Sequence, residues 1–554
     1  METETMTEAV RALPKRDKAL LGTLIALALA ALTIGVFAGL ATALVRAGAI
    51  TAEAEVGYRG LTIHGFTIFF YWLYAAQAAA LLALVTAEAG GAGMALRPAA
   101  WMGAALMSLG FVLQQAGAWS GAPLLYDGSP EAAIDEPAAA APFFAGYLLL
   151  GLGLLLIAAT AIATALRAKT SRPPRPWSSI GFGAVGWAGL VMVSSIAMAM
   201  TFLPAFLWSL GWGEEPARQS TYWHLLFHNL HYLPLMGTVL LWYAMAHDLT
   251  GMRSIFGQGF SKVVFASYLV FVPPTSLYHM FLEPDLAPLL RVLGSVLSLF
   301  ISVPTIAAFL VIMGSLEALA RERGQRGLLG WSRVLPWGEP ATTAIACAVI
   351  NLAIGGAFSF VLIQERFATL LSDTFFVPGY FHFLTIGTVT LTLLAAMARL
   401  VPALTGKSLA APGLLRALPF AITVGIVIFG ASGILAGISG MPRRVLDATY
   451  GGAGPSSWMT LSTGLGAGAT VMAAGLLAYV CILVWTAVRR VPRVQSPVGP
   501  QASGLAIGAG SLARKAWAAP LAVVVLVAGM FAATIVTFAL LDALPLLTNA
   551  DGGH

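Results

Sequence analysis

The chain is short of charge. Asp, Glu, Lys and Arg make up 10% of its 554 residues, where a soluble domain carries roughly 25%. Hydrophobic residues make up 58%. Together these exclude a soluble globular fold and point to a membrane protein. Cysteine is scarcer still: Cys347 and Cys481 stand far apart, each alone in an apolar segment, which excludes a disulfide framework and a thiolate metal site. No Walker loop, dinucleotide fingerprint or soluble domain interrupts the sequence. The polar–apolar alternation of a transmembrane barrel is missing too. The net charge is +6, but the basic residues are spread over separate loops, so nucleic acid is not an expected partner.

What the chain has instead is long apolar runs. Segments of about 20 residues or more, enough to cross the hydrocarbon core, recur near 19–46, 57–87, 98–119, 141–168, 179–212, 220–247, 258–281, 288–320, 339–364, 374–402, 413–439, 457–488 and 516–545. They predict an all-α polytopic bundle of about 13 transmembrane helices, forming one membrane-embedded domain over 1–554. The first run is too long for a cleavable signal, and further spans follow at once. The helices are rich in Ala and Gly, which permits close packing against each other and the lipid. Stretches 120–140 and 490–512 read as plain connections.

The connections set an orientation. Arg11, Lys15, Arg16 and Lys18 precede the first span, and Arg167, Lys169, Arg172 and Arg175 follow the fourth. Arg321, Arg323, Arg326 and Arg333 follow the eighth, and Arg489, Arg490, Arg493, Arg514 and Lys515 lie between the twelfth and thirteenth. The other loops hold acids instead: Asp127, Glu131, Asp135 and Glu136, then Glu283 and Asp285. The excess of Lys and Arg on one side predicts a cytoplasmic N-terminus and an external C-terminus in a bacterial or archaeal cytoplasmic membrane.

Histidine is the informative rarity. There are eight, and His64, His228, His279 and His382 lie in or beside apolar runs, where an unpaired imidazole is costly and a functional role is the default expectation. The second span reads Leu61-Thr62-Ile63-His64-Gly65-Phe66; the glycine leaves a flat side where a large planar ligand can approach, the alternative being an imidazole bonded to a neighbouring helix. The sixth reads Tyr222-Trp223-His224-Leu225-Leu226-Phe227-His228-Asn229-Leu230-His231-Tyr232. The seventh reads Pro273-Pro274-Thr275-Ser276-Leu277-Tyr278-His279-Met280-Phe281, and the tenth reads Asp373-Thr374-Phe375-Phe376-Val377-Pro378-Gly379-Tyr380-Phe381-His382-Phe383. After the eleventh comes Met441-Pro442-Arg443-Arg444-Val445; two adjacent arginines suit paired carboxylates.

With these segments in order, the chain resembles subunit I of the heme–copper oxidase superfamily, most closely its B-type branch. The resemblance covers nearly the full length, and Val377-Pro378-Gly379, Val389-Thr390-Leu391-Thr392 and Pro442-Arg443-Arg444 are close to B-type wording. It implies that His64 and His382 ligate a low-spin heme of b type, a six-coordinate iron that passes electrons and binds no substrate. Arg443 and Arg444 match the pair that binds the heme propionates, and Asp373 lies where the family places a polar group beside them.

The implied second site departs from the family. Tyr380 stands where the family has the proximal histidine of a high-spin heme. Residues two apart on a helix point about 200° apart, so Tyr380 aims at that second position, and tyrosinate does ligate heme iron in catalase-like sites. His228 and His279 match two of the three imidazoles of a distal metal, copper or non-heme iron; Tyr278 replaces the third. His231, one turn from His228, is a candidate replacement ligand. Tyr232 lies four residues after His228, on the same helix face, and matches the tyrosine that oxygen-reducing members cross-link to that histidine. Asn229 replaces the usual proline. Tyr243 and Thr305 match polar positions of the B-type proton path, whereas Ala308 and Val311 stand where it has threonines. The resemblance implies a respiratory oxidoreductase acting on O2 or, alternatively, NO; a non-catalytic protein with one heme is the reading of another class. With no CuA motif and no covalent heme motif in the chain, the donor site is expected on a subunit II-like CuA or cytochrome partner, fed by an external donor such as cytochrome c.

Overall fold

The computed structural model describes residues 6–90, 93–120, 125, 128, 130–171, 177–216, 221–273, 300, 302–363, 365–447, 449–490 and 525. The described chain is built of α-helices: α1 (Met6–Arg11), α2 (Lys15–Arg46), α3 (Ala54–Phe66), α4 (Leu73–Glu88), α5 (Arg97–Ser120), α6 (Pro137–Lys169), α7 (Ser179–Ser209), α8 (Thr221–Thr250), α9 (Gly257–Phe271), α10 (Ser302–Glu322), α11 (Pro340–Leu362), α12 (Glu365–Leu371), α13 (Phe376–His382), α14 (Leu391–Thr405), α15 (Pro412–Ile438) and α16 (Ser456–Val488). Two π-helical segments, Thr67–Trp72 and Phe383–Thr390, run α3 into α4 and α13 into α14. Among the described residues, ten helical segments are long and apolar enough to cross a membrane. The expected sixth and seventh spans correspond to α8 and α9. The end of the seventh, the start of the eighth and nearly all of the thirteenth lie outside the described residues.

Local sequence explains where the helices begin and end. Pro137, Pro340 and Pro412 open α6, α11 and α15, where a missing N–H costs nothing. The Ser178 hydroxyl caps α7 by accepting from Gly181 N at 3.0 Å. Gly406, at φ 71°, ends α14 in the left-handed conformation that glycine adopts without penalty. Along the spans, Thr42, Thr62 and Thr86 donate their hydroxyls to carbonyls four residues back, leaving no bare donor in an apolar medium.

Packing relies on small residues. Gly103 and Gly110 of α5 face Gly153 and Gly146 of α6. A Cβ at Gly103 would sit 2.7 Å from the Gly153 carbonyl oxygen, and one at Gly110 would sit 2.8 Å from that of Gly146. The seven-residue spacing on both helices keeps a side-chain-free seam on one face, so the two backbones touch. Proline is handled by neighbours: Pro234 in α8 cannot donate to the Leu230 carbonyl, and the Tyr74 hydroxyl of α4 does so instead at 2.8 Å. Gln77 of α4 donates to the Pro234 carbonyl at 3.1 Å and accepts from Trp187 of α7 at 2.9 Å. One end of the bundle is pinned by buried carboxylates. Asp17 pairs with Arg97 and accepts from Met94 N at 2.9 Å. Asp248 pairs with Arg399 and accepts the Thr7 hydroxyl of α1 at 2.8 Å.

Two spans lie innermost. The most apolar stretch of Ala54–Glu88 is 100% buried and that of Phe376–Thr405 is 83% buried. These are the spans that carry His64 and His382.

Candidate functional site

The His64 and His382 rings face each other, 6.2 Å between centroids and 10° from parallel. This is the separation of two imidazoles sharing one metal: with a metal–nitrogen bond of about 2 Å and about 1.1 Å from each nitrogen to its ring centre, the spacing comes to about 6.2 Å. Both rings are also held in the ligating tautomer. His64 Nδ1 donates to the Gly35 carbonyl at 2.8 Å, and His382 Nδ1 donates to the Pro378 carbonyl at 2.7 Å. With Nδ1 committed as donor, Nε2 keeps its lone pair.

Glycine makes the fit possible. Gly35 and Gly39 lie one turn apart on α2; the first supplies the carbonyl and the second the room. A Cβ at Gly39 would lie 2.4 Å from His64 Nδ1. On the other side the His382 ring packs against Phe429 of α15 at 4.4 Å between centroids.

A cleft of about 100 Å³ runs from the imidazoles toward the end of the bundle that carries Asp373. Its walls are apolar and its two guanidinium groups are Arg46 and Arg443. Arg443 Nη2 donates to Asp373 Oδ1 at 3.0 Å, while its Nε is buried with no partner, an unsatisfied donor on a residue that lines the cleft and one that an anionic group would satisfy. The backbone reinforces the placement: Phe375 N donates to the Met441 carbonyl at 2.8 Å and Arg443 N to the Asp373 carbonyl at 3.1 Å, across an antiparallel contact of Thr374 with Pro442. Arg46 donates to the Val445 carbonyl at 2.9 and 3.1 Å and lies 4.6 Å above the Phe375 ring. The donor set therefore fits a large planar metal complex with acidic edge groups: two neutral nitrogens on the axis, apolar walls, and guanidinium at one end.

The other singled-out residues are placed as follows. Arg444 is exposed and is not among the residues lining the cleft. Arg46, which sequence alone did not single out, takes a position there instead. Tyr380 is half-buried, its ring 5.8 Å from Phe376 and 6.3 Å from Phe381. His231 is half-buried against Phe69 at 4.7 Å and Phe381 at 5.7 Å. Tyr232, also half-buried, packs against the main core. Tyr278, His279 and the His228 side chain lie outside the described residues. Among the described residues, no three His, Cys, Asp or Glu side chains gather to hold a metal ion. Thr305 bonds to the buried Tyr268 hydroxyl at 2.8 Å, a polar partner on α9 that the sequence reading missed; Ala308 and Val311 are buried.

A helical membrane bundle in which two deeply buried spans present facing, tautomer-locked imidazoles beside an arginine-lined cleft defines a class: polytopic membrane proteins with a donor set for a planar metal complex. The chain belongs to the family of cytochrome c and quinol oxidase polypeptide I, whose sequence profile its residues 19–485 match. These are heme- and copper-bearing subunits of respiratory oxidoreductases. Cytochrome c oxidase subunit 1 of Thermus thermophilus is 28% identical over 318 residues, 56% of this chain and 56% of that protein. A second Thermus thermophilus sequence described as cytochrome c oxidase subunit 1 is 36% identical over 75 residues, 14% of this chain and 69% of its own length. The chain thus matches little more than half the length of the first of these relatives. Among solved structures, a heme–copper terminal oxidase dimer determined by cryo-EM has the same fold, with a TM-score of 0.79, 20% identity, and coverage of 93% of this chain and 91% of that one.

Proposed function

We propose that the chain is the heme-bearing subunit of a B-type respiratory oxidase. In this reading it takes electrons from an external donor, such as a cytochrome c or a CuA-bearing partner subunit, and delivers them to O2. The observation that carries it is the imidazole pair at 6.2 Å and 10° with both Nδ1 atoms tied to carbonyls. His64 and His382 would hold a heme between them, and with both axial places taken by imidazole it would supply one-electron transfer rather than substrate binding. Gly35 and Pro378 fix the rings, Arg443 presents a donor to the acidic edge, and the apolar walls exclude water. Substrate chemistry is assigned to a second site at Tyr380, His228, His279, Tyr232 and Tyr278, with His231 beside it. The membrane is a bacterial or archaeal cytoplasmic membrane, with the N-terminus inside.

The test is a heme and metal inventory of the purified complex, joined to oxygen uptake with reduced cytochrome c. Two hemes per chain with steady turnover support the reading. One heme with no turnover removes it.

The phenols at 278 and 380 favour a second reading, since each stands where the resemblance calls for an imidazole and Tyr380 keeps aromatic company. The protein is then either a nitric oxide reductase, which nitrous oxide release would reveal, or a one-heme protein without catalysis. Carbon monoxide separates the last case, because it binds only an open iron.

A further inference from the structure

Each axial histidine is followed by a stretch of wound-out helix. Thr67–Trp72 begins three residues after His64, and Phe383–Thr390 begins one residue after His382. A π segment inserts an extra residue into the helical repeat and turns everything beyond it by about 100°. Such segments are uncommon, and each has to be held against relaxing to an α-helix.

The neighbouring spans hold both. At the first segment, Gln115 of α5 donates to the Thr67 hydroxyl at 2.7 Å, and Gln114 accepts the Tyr71 hydroxyl at 3.0 Å. At the second, the carboxamide of Asn351 on α11 fills the space left by Gly387, where a Cβ would sit 2.4 Å from its Cγ. The Thr388 hydroxyl closes the wide turn by donating five residues back, to the Phe383 carbonyl at 3.0 Å. The far ends of the two segments are then joined: Trp72 Nε1 donates to the Thr390 hydroxyl at 2.9 Å, both groups fully buried. Trp72 lies eight residues beyond His64 and Thr390 eight residues beyond His382. The tie is therefore at matching positions on two helices, on the order of 10 Å along the axis from the ring pair.

We infer that the Trp72–Thr390 hydrogen bond is a positioning device for the axial ligands: it clamps the two π segments at equal distance from His64 and His382 and so sets the spacing and near-parallel attitude of the two imidazoles. Trp72 and Thr390 are positioning residues and touch neither ring. This inference rests on the bis-histidine heme reading. It explains why a donor–acceptor pair is buried in the apolar interior of the two innermost spans, where hydrophobic residues of equal size would pack as well.

The test uses the purified full-length complex and reads the low-spin ferric g values and the heme midpoint potential. Thr390→Val keeps the volume and removes the acceptor; Trp72→Phe removes the donor; Thr390→Ser keeps the hydroxyl. Thr390→Val and Trp72→Phe are expected to keep full heme loading, to shift the g values and the potential in the same sense, and to give no further shift when combined. Thr390→Ser is expected to return both to wild-type values. Trp242→Phe, which removes the corresponding bond to Thr392 beyond the segment and leaves the Thr392 bond to the Thr388 carbonyl in place, is the control and is expected to leave both unchanged. Heme-replete Thr390→Val with wild-type g values and potential overturns the inference, as does Trp242→Phe shifting them equally. Wild-type protein without heme overturns the underlying reading instead.

Discussion

Gly39→Ala puts one methyl group into the tightest part of the site. Its Cβ would lie 2.4 Å from His64 Nδ1 and 2.7 Å from Cε1, whereas ordinary contacts begin at 3.4 Å. The ring, or helix α2 beneath it, must give way by about 1 Å, because neither side is a flexible side-chain tip. A ring displaced that far loses its 2.8 Å bond to the Gly35 carbonyl and moves by half of a metal–nitrogen bond of about 2 Å. Loss of an outer-shell partner alone lowers metal affinity by about 10–100-fold, or about 1.4–2.7 kcal/mol; the displacement adds to this. The assay is the heme-to-protein ratio after purification, with the reduced-minus-oxidised spectrum and its response to carbon monoxide. The expected variant is partly depleted of low-spin heme, and what remains binds carbon monoxide where the wild-type low-spin heme does not. Gly22→Ala, on the same helix with nothing within 4 Å of its Cβ, is the matched control. Full loading and an unaltered spectrum in Gly39→Ala would refute the reasoning, since the methyl group has nowhere to go without moving the ring.

Four further outcomes follow from the packing and the polar contacts. Arg443→Gln removes the unpaired buried donor at the cleft and is expected to shift the low-spin heme potential and increase heme loss on dilution, while Arg444→Gln, at an exposed position, is expected to do neither; titration and dialysis decide it. Asp248→Ala takes from Arg399 the nearer of its two carboxylates, leaving Glu339 at 3.5 Å, and takes from Thr7 its acceptor; it is expected to cost about 2 kcal/mol, read as a lower thermal midpoint in detergent. Gly110→Leu drives a branched side chain into the α5–α6 seam and is expected to lower the yield of folded protein sharply, whereas Gly189→Leu, with open space at its Cβ, is expected to be tolerated; fluorescence-detected size exclusion distinguishes them. Tyr268→Phe removes the partner of Thr305 and is expected to slow oxygen uptake with the low-spin spectrum unchanged and the solvent isotope effect increased.

The membrane bundle was legible from composition and run length because lipid leaves a spanning segment few options. His64 and His382 were legible because an imidazole in an apolar run needs a reason to be there. Their supporting partners were not. Gly35 and Pro378 act through carbonyl oxygens, which every residue possesses, and their alignment depends on helix register. The π segments escaped notice because Thr67–Trp72 and Phe383–Thr390 lie within long buried spans that show no polar face, so no periodicity marks the extra residue. Arg46 was not singled out, because its partners, the Val445 carbonyl and the Phe375 ring, lie hundreds of residues away in sequence. Arg443 and Arg444 looked equivalent as neighbours in sequence; the antiparallel contact at Pro442 turns the first toward the cleft and leaves the second exposed.

That short contact has a mechanical consequence. Because Phe375 is bonded to Met441, and Asp373 to Arg443, the strap beyond α15 and the approach to His382 move as one piece. Asp373 stands 89% exposed at its tip, so a displacement imposed there is carried along the strap toward His382.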